Sequence, residues 1–187
     1  MNYIDANIKQ LTRIHIRPLP KEQYEPLNYH LKKDILDAGD AIGNRTAAKC
    51  IRTHWKMHEK YESFKLLCDS AIDFANKLCE SDRYLRQTDE NGVVQKMKFT
   101  TDKSWGLIYK KGDDTATHTH FPALWSWTYC VFGCELCAPL MFSDAEVKFK
   151  TGQLVFFPSW MQHGVPTHTC DHDRIVVAGN IFMSGWL

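Results

Sequence analysis

At 187 residues and 44% hydrophobic, the chain can bury one sizeable core, and its length fits a single domain with an extension. Twenty-three Lys+Arg against twenty-two Asp+Glu leave a formal charge of +1, so the overall balance calls for no nucleic-acid or membrane-surface partner. The opening MNYIDANIKQ has no basic segment followed by an apolar one, no run is long enough to span a bilayer, and seven cysteines is an odd count; the expectation is a cytoplasmic protein with reduced thiols.

Taken in chain order, "LTRIHIRPLP" alternates weakly and stops at Pro18 and Pro20, which predicts a strand near 11–17. Residues 44–80 contain no Gly or Pro, and Ile51, Trp55, Met57, Tyr61, Phe64, Leu67, Ile72, Phe74 and Leu78 recur at broadly helical spacing. One long helix or two are expected there, with Asn44 as N-cap. At "DENGV" an Asn-Gly hairpin signal changes the character of the chain. Short apolar runs then follow one another between turns: "VVQKMKF", "WGLIYKK", "WSWTYCVF", "CAPLMF", "AEVKFK", "LVFFP" and "RIVVAGNIF". So many strands in so short a stretch point to a β-sandwich or barrel with helices packed on one face. The fold class expected is α+β, with residues 1–88 mainly helical support and residues 93–187 the β core of a single domain.

The chemistry concentrates in that core. In "GDDTATHTHFPALWSW", strand alternation would turn His118 and His120 to one side and Thr119 to the other, so that two imidazoles can chelate one ion. His163, in "FFPSWMQHGV" at the rim of the same predicted barrel, offers a third nitrogen. Three such ligands leave positions open for substrate and oxygen, as non-haem iron sites do. The plainer reading of each histidine is a structural or solvated residue. Arg174 weighs against it. It begins "RIVVAGNIF", whose alternation points Arg174 inward with Val176 and Ala178. An inward arginine is costly unless it meets an anion, and its planar fork suits a carboxylate; the alternative is an arginine still in solvent at the first residue of a strand.

The order "HTH", "GQLVFFPSWMQHGV", "RIVVAGN" resembles the double-stranded β-helix oxygenases that depend on Fe(II) and 2-oxoglutarate, in particular a bacterial and phage group with an H-x-H element, an "FPSW…H.V" segment and a final "RI…N" strand. The resemblance covers residues 105–183. It implies iron held by His118, His120 and His163, and the 5-carboxylate of 2-oxoglutarate paired with Arg174. It further implies O2 as co-reactant and hydroxylation of an unidentified substrate, an amino-acid side chain such as a prolyl residue or a small metabolite. Two positions depart from the family's pattern. His120 stands where most members carry Asp or Glu, which would leave the iron complex one unit more positive. Val176 stands where many carry a hydroxyl, so that Tyr109 or Asn180 would have to support the cosubstrate carboxylate.

Other readings compete. The spacing of Gly112 to His118-Thr-His120, and of Gly152 to Pro158 and His163, also matches the two motifs of a cupin, which has the same fold. The glutamate a cupin needs after the second histidine is missing from "FPALWSW", and Arg174 would have no role in one. A non-enzymatic β-barrel binding module is the third reading. Cys134-x-x-Cys137, with Cys170 and His172 further along, has a zinc-knuckle spacing, but Cys130 and Cys137 lie in apolar strand contexts where free cysteine is a small hydrophobe, and that is the reading expected. Of the aromatic residues around the motif, Trp105, Trp127 and Tyr129 are expected in the core. Trp125 and Trp160, on either side of the metal residues at the predicted rim, are the candidates for substrate contact.

Overall fold

The computed structural model describes residues 14–41, 46–81 and 87–186. Two antiparallel sheets stack face to face, and helices cover the outer face of the larger one. Strands β1 (His15–Pro18), β3 (Ile51–Arg52), β6 (Met97–Tyr109), β8 (Trp125–Phe132), β11 (Gln153–Pro158) and β13 (Arg174–Trp186) form the larger sheet in the order β1-β11-β8-β13-β6-β3. The smaller has the order β10-β9-β12-β7-β2, built from β2 (Ala48–Lys49), β7 (Asp114–His118), β9 (Leu140–Phe142), β10 (Glu146–Val147) and β12 (His163–Val165). The apolar runs predicted a sandwich or barrel, and the two facing sheets are the double-stranded β-helix that the resemblance implies. Around Asn91-Gly92, β4 (Gln87–Thr88) and β5 (Val94–Gln95) make the predicted hairpin, its turn held by Asp89 Oδ1 accepting from the amides of Asn91 and Val93, 2.9 Å each.

Period-two alternation sorts the larger sheet's side chains into two cores. Ile108, Trp127, Tyr129, Leu154, Phe156, Ile175 and Val177 face outward and pack under Leu31 and Ile35 of α1 (Lys21–Ala38), Met57 of α2 (Met57–Lys60), and Phe64, Leu67 and Ala71 of α3 (Glu62–Ser81). Their neighbours Leu107, Tyr109, Val155, Phe157 and Val176 face inward and meet Leu140, Phe142 and Val165 of the smaller sheet. The site sits in that inner layer.

Helix α1 lies within the mainly helical support expected over residues 1–88, but with Pro26 inside it and only Asn28, Leu31 and Ile35 buried its apolar stripe is too thin to set its bounds from sequence. The expected helix over 44–80 begins only at Met57: residues 48–52 pair instead as edge strands, Ala48 with Thr115 and Ile51 with Ile108. Asn44 and residues 11–13 lie outside the described residues, and the first strand runs over His15–Pro18.

Polar anchoring compensates for the thin stripe of α1. Asn28 Nδ2 donates to the carbonyl of Val131 (2.8 Å), and its Oδ1 accepts from the hydroxyl of Tyr129 (2.8 Å), both across a dry interface. Removing the amide leaves a buried hydroxyl and a buried carbonyl unpaired, at about 1–3 kcal/mol for each stranded group. Asn28→Ala should therefore lower the urea midpoint at unchanged m-value, and by more than Tyr129→Phe, which strands only one acceptor.

Candidate metal and anion site

The smaller sheet assembles the histidines. Strand β12 pairs with β7 so that His163 lies directly opposite His118. Gly164 makes this approach possible: a Cβ there would stand 2.8 Å from the carbonyl oxygen of Thr115. His120 is placed differently from the expectation of strand alternation. Strand β7 ends at His118, and His120 sits in the following turn, its amide donating to Ser159 (2.9 Å) and its carbonyl accepting from Ala123 (3.0 Å). The "FPS" segment thus positions His120, while the "QHG" segment that follows it carries His163. Ring centroids stand 4.8 Å apart for His118 and His120, 4.5 Å for His118 and His163, and 5.0 Å for His120 and His163, and one ligand nitrogen from each falls within 4.8 Å of the others.

Two of the rings have their tautomer fixed. His118 Nδ1 lies 2.8 Å from the carbonyl of Ala116 and His163 Nδ1 2.9 Å from that of Met161. A carbonyl only accepts, so both Nδ1 atoms carry the proton and both Nε2 lone pairs are free for a cation. Burial lowers the basicity of all three rings, and like neighbours add to it: His120 falls to about 3 and His163 to about 4, while His118 shifts in the same direction. They are neutral at neutral pH, the state a metal requires.

Arg174 opens β13 opposite Tyr109 and lines the same cavity of about 210 Å³ as the three histidines. It is 2% exposed, and its Nε and Nη1 have no hydrogen-bond partner. The guanidinium lies over the rings of Tyr109 (4.8 Å) and Phe149 (5.2 Å), which hold the fork without satisfying it. The donor set fits the groups suggested by the sequence: three neutral nitrogens for a divalent cation, and an orphaned fork for a carboxylate.

The remaining predicted residues divide. Tyr109 lines the cavity and its hydroxyl pairs with Thr115 Oγ1 (2.7 Å). Asn180 is buried outside the lining set, its Oδ1 accepting from Ser126 (2.9 Å). Val176 lines the wall, where Thr115 and Thr128 supply the hydroxyls it lacks. Trp125 is not at the rim: it packs on Phe156 (5.2 Å) and His15 (6.2 Å) in the helix-facing core, on the other side of the sheet. Trp160 is 52% exposed on the turn after Ser159 and does not line the cavity. The walls expected from sequence to be helix or core carry Arg52, Trp55 and Trp105. Arg52 escaped notice because its strand is two residues long and set by its partner, β6.

Comparison with known proteins agrees with this geometry. Residues 136–180, which include His163 and Arg174, match the family model described as "Putative 2OG-Fe(II) oxygenase". This segment carries the signature of the 2OG-Fe(II) oxygenases. The oxygenase fold extends over nearly the whole chain. The viral collagen prolyl hydroxylase of Paramecium bursaria Chlorella virus-1, solved with 2-oxoglutarate, superposes with a TM-score of 0.61 at 13% identity, covering 93% of this chain and 98% of that one. A prolyl-4-hydroxylase of Pseudomonas putida gives 0.65 at 15%, covering 94% and 95%. The carbocyclase SnoK of nogalamycin biosynthesis gives 0.67 at 10%, covering 95% and 82%. A search of curated protein sequences gives no match. No helix among the described residues is long and apolar enough to cross a membrane.

The depressed histidines have a thermodynamic consequence. Below about pH 6.5 the unfolded chain protonates imidazoles that the fold keeps neutral, so the unfolded state binds more protons and stability rises with pH. The metal-free protein should lose stability as pH falls from about 6.5 toward 4 and be flat above 6.5, each such group contributing up to about 1.4 kcal/mol per pH unit. Chemical denaturation across that range should show a shallower dependence for His163→Gln.

Proposed function

We propose that the protein is an Fe(II)- and 2-oxoglutarate-dependent oxygenase that hydroxylates an amino-acid side chain, prolyl or similar, or a small metabolite. The observation that carries this reading is the buried, unpartnered fork of Arg174 in one cavity with three convergent neutral imidazoles. A cupin-type site has no use for such an arginine. The matched oxygenase signature over residues 136–180 and the fold shared with prolyl hydroxylases support the same reading.

In this reading His118, His120 and His163 hold the metal, and Arg174 takes the far carboxylate of 2-oxoglutarate with the Tyr109 and Thr115 hydroxyls beside it. Fe(II) and 2-oxoglutarate together supply oxidation of an unactivated C–H bond by O2, with the cosubstrate leaving as succinate and CO2. The chain's part is positioning and dryness. Trp55, Trp105, Leu107, Leu140 and Phe157 wall the cavity with apolar surface, so that Arg174 and the imidazoles act in a medium where each electrostatic contact is stronger than in water. The Nδ1 bonds to Ala116 and Met161 hold two rings in the ligating tautomer before any cation arrives. His120 in place of a carboxylate makes the site a neutral-ligand one.

Arg174→Ala should raise the KM for 2-oxoglutarate far more than it changes Fe(II) affinity, because truncating one side of a buried charged pair costs about 3–5 kcal/mol, roughly two to three and a half orders of magnitude. Succinate formation at varied cosubstrate measures the first quantity and anaerobic iron titration the second. Equal losses of both would instead indicate a collapsed cavity. At the metal, His120→Ala should weaken Fe(II) binding sharply, while His120→Asp, a ligand of similar reach with a negative charge, should retain it. Near-native affinity in His120→Ala would remove His120 from the ligand set.

A further inference from the structure

Beyond the Phe132 end of β8, the end away from the turn that carries His120, a second group of ligating side chains comes together. Cys134 and Cys137 lie between β8 and β9, Cys170 and His172 on the segment that enters β13, and their ligand atoms all fall within 4.8 Å of one another. The sulfur of Cys134 is 3.8 Å from that of Cys170 and 3.9 Å from that of Cys137. Tetrahedral zinc with Zn–S bonds of about 2.3 Å requires sulfur–sulfur edges of about 3.8 Å. We propose that Cys134, Cys137, Cys170 and His172 bind a structural zinc ion.

The reading as small hydrophobes fits the burial of Cys130, inside β8, and of Cys137, but does not cover the cluster: Cys134 and Cys170 are only half-buried and His172 is exposed. Exposed or half-exposed thiols gain nothing by pointing at one another unless something binds between them. A disulfide would use two sulfurs and strand the third beside an imidazole. Three sulfurs and one nitrogen at tetrahedral spacing, with Cys-x-x-Cys closing one chelate, is a donor set that selects zinc. The surroundings are built as for a closed metal site. The amide of Cys134 donates to the Cys137 sulfur (3.2 Å). His168, fully buried, donates from Nε2 to the carbonyl of His172 (2.9 Å) and accepts at Nδ1 from the amide of Ala138 (3.4 Å), so one ring braces both halves of the cluster. Four protein ligands leave no open position, so the role is a staple. It ties the β8–β9 connection to the chain two residues before Arg174.

Elemental analysis of the purified full chain, dialysed against EDTA, should find one zinc per molecule. Cys134→Ser and Cys170→Ser should each lower occupancy at least about tenfold, and the His118→Ala/His163→Ala double variant should keep the zinc. In Co(II)-grown wild-type protein a thiolate-to-cobalt charge-transfer band should appear, which an all-imidazole site cannot give. Cys134, Cys137 and Cys170 should resist alkylation in native protein until a mercurial releases the metal. If the cysteine variants do not fold, the cobalt spectrum and the alkylation pattern of the wild type decide alone. Wild-type protein without the charge-transfer band and with all three thiols freely alkylated, or zinc that leaves with His118 and His163, overturns the site.

A different observation concerns the substrate and rests on the oxygenase reading. Arg52 lines the same cavity as Arg174, is 4% exposed, and its Nε and Nη2 have no hydrogen-bond partner; its guanidinium stacks on Trp55 at 4.2 Å. None of the described residues lining the cavity is Asp or Glu. One cosubstrate, with one carboxylate at the metal and one on Arg174, leaves the second fork unmatched. We infer that Arg52 binds a carboxylate of the substrate, so that the substrate class is acidic.

The probes are free and N-acetylated amino acids, each paired with its carboxamide, tested for stimulation of succinate formation. Wild-type enzyme should favour the acid over its amide by at least about tenfold, and Arg52→Gln should bring that ratio to about one. Stimulation by neutral compounds alone, stimulation by none of the acids, an unchanged ratio in the variant, or a larger rise in KM for 2-oxoglutarate than for the acid overturns the assignment. Failure of the oxygenase reading itself shows separately, as wild-type protein that, held anaerobically, binds no 2-oxoglutarate in an Fe(II)-dependent way.

Discussion

Two guanidinium groups buried to within a few percent of full burial, facing a cavity with no carboxylate on the walls described, set the central constraint on this molecule. Such groups carry a desolvation cost that the fold offsets only in part: Asp40 attracts Arg52, and aromatic stacking on Tyr109, Phe149 and Trp55 relieves some of the rest, while Nε and one terminal nitrogen of each fork stay without a hydrogen bond. The rest of the architecture absorbs that cost. Two hydrophobic layers, one between the sheets and one beneath the helices, grip β6 and β13 from both sides and keep Arg174 in place. In the proposed reading, the polar groups of this site would find their partners when an anion binds.

The same economy explains how the histidines are held. His163 and His118 are a ladder pair, so their separation is fixed by backbone hydrogen bonding rather than by side-chain packing, and Gly164 admits the close approach beside them. His120 depends on the turn that Ser159 and Ala123 hold. Two of the three rings are therefore as rigid as the sheet, and the third is as rigid as one turn. The ring on the turn is also the one that departs from the carboxylate usual in the superfamily, so the chemical variation falls where a change of side chain disturbs the barrel least.

Much of this was legible in the sequence, and the failures have physical causes. The short apolar runs "LVFFP" and "RIVVAGNIF" gave strands because turn residues flank each, and alternation along the second gave an inward Arg174. Trp125 went wrong although Ser126 and Thr128 alternate with the aromatic residues of "WSWTYCVF": the aromatic side faces the helices with Trp127 and Tyr129, and with both faces of the strand buried the sequence does not say which of them is the cavity side. Helical support was expected over residues 1–88, but the bounds of α1 were not legible, because its docking adds the hydrogen bonds of Asn28 to a stripe of only Leu31 and Ile35. Strands of two residues, β2 and β3, have no local signal at all: the long neighbours they pair with define them, and Arg52 and Trp55 were lost with them. Cys170 and His172 lie thirty-odd positions from Cys137, and only the return of the chain to the start of β13 brings the set together.

In the proposed reading the two donor sets would hold different metals. Imidazoles alone suit a cation that must exchange ligands; three thiolates and an imidazole, closed on all sides, suit one that must not. Affinity alone would not separate iron from zinc at the imidazoles, since zinc binds nitrogen sites more tightly than Fe(II) does, so supply and the cosubstrate would set the metal there. Because the sulfur site ends two residues before Arg174, the ion that is never exchanged would fix the arginine on which the exchangeable one depends for its cosubstrate.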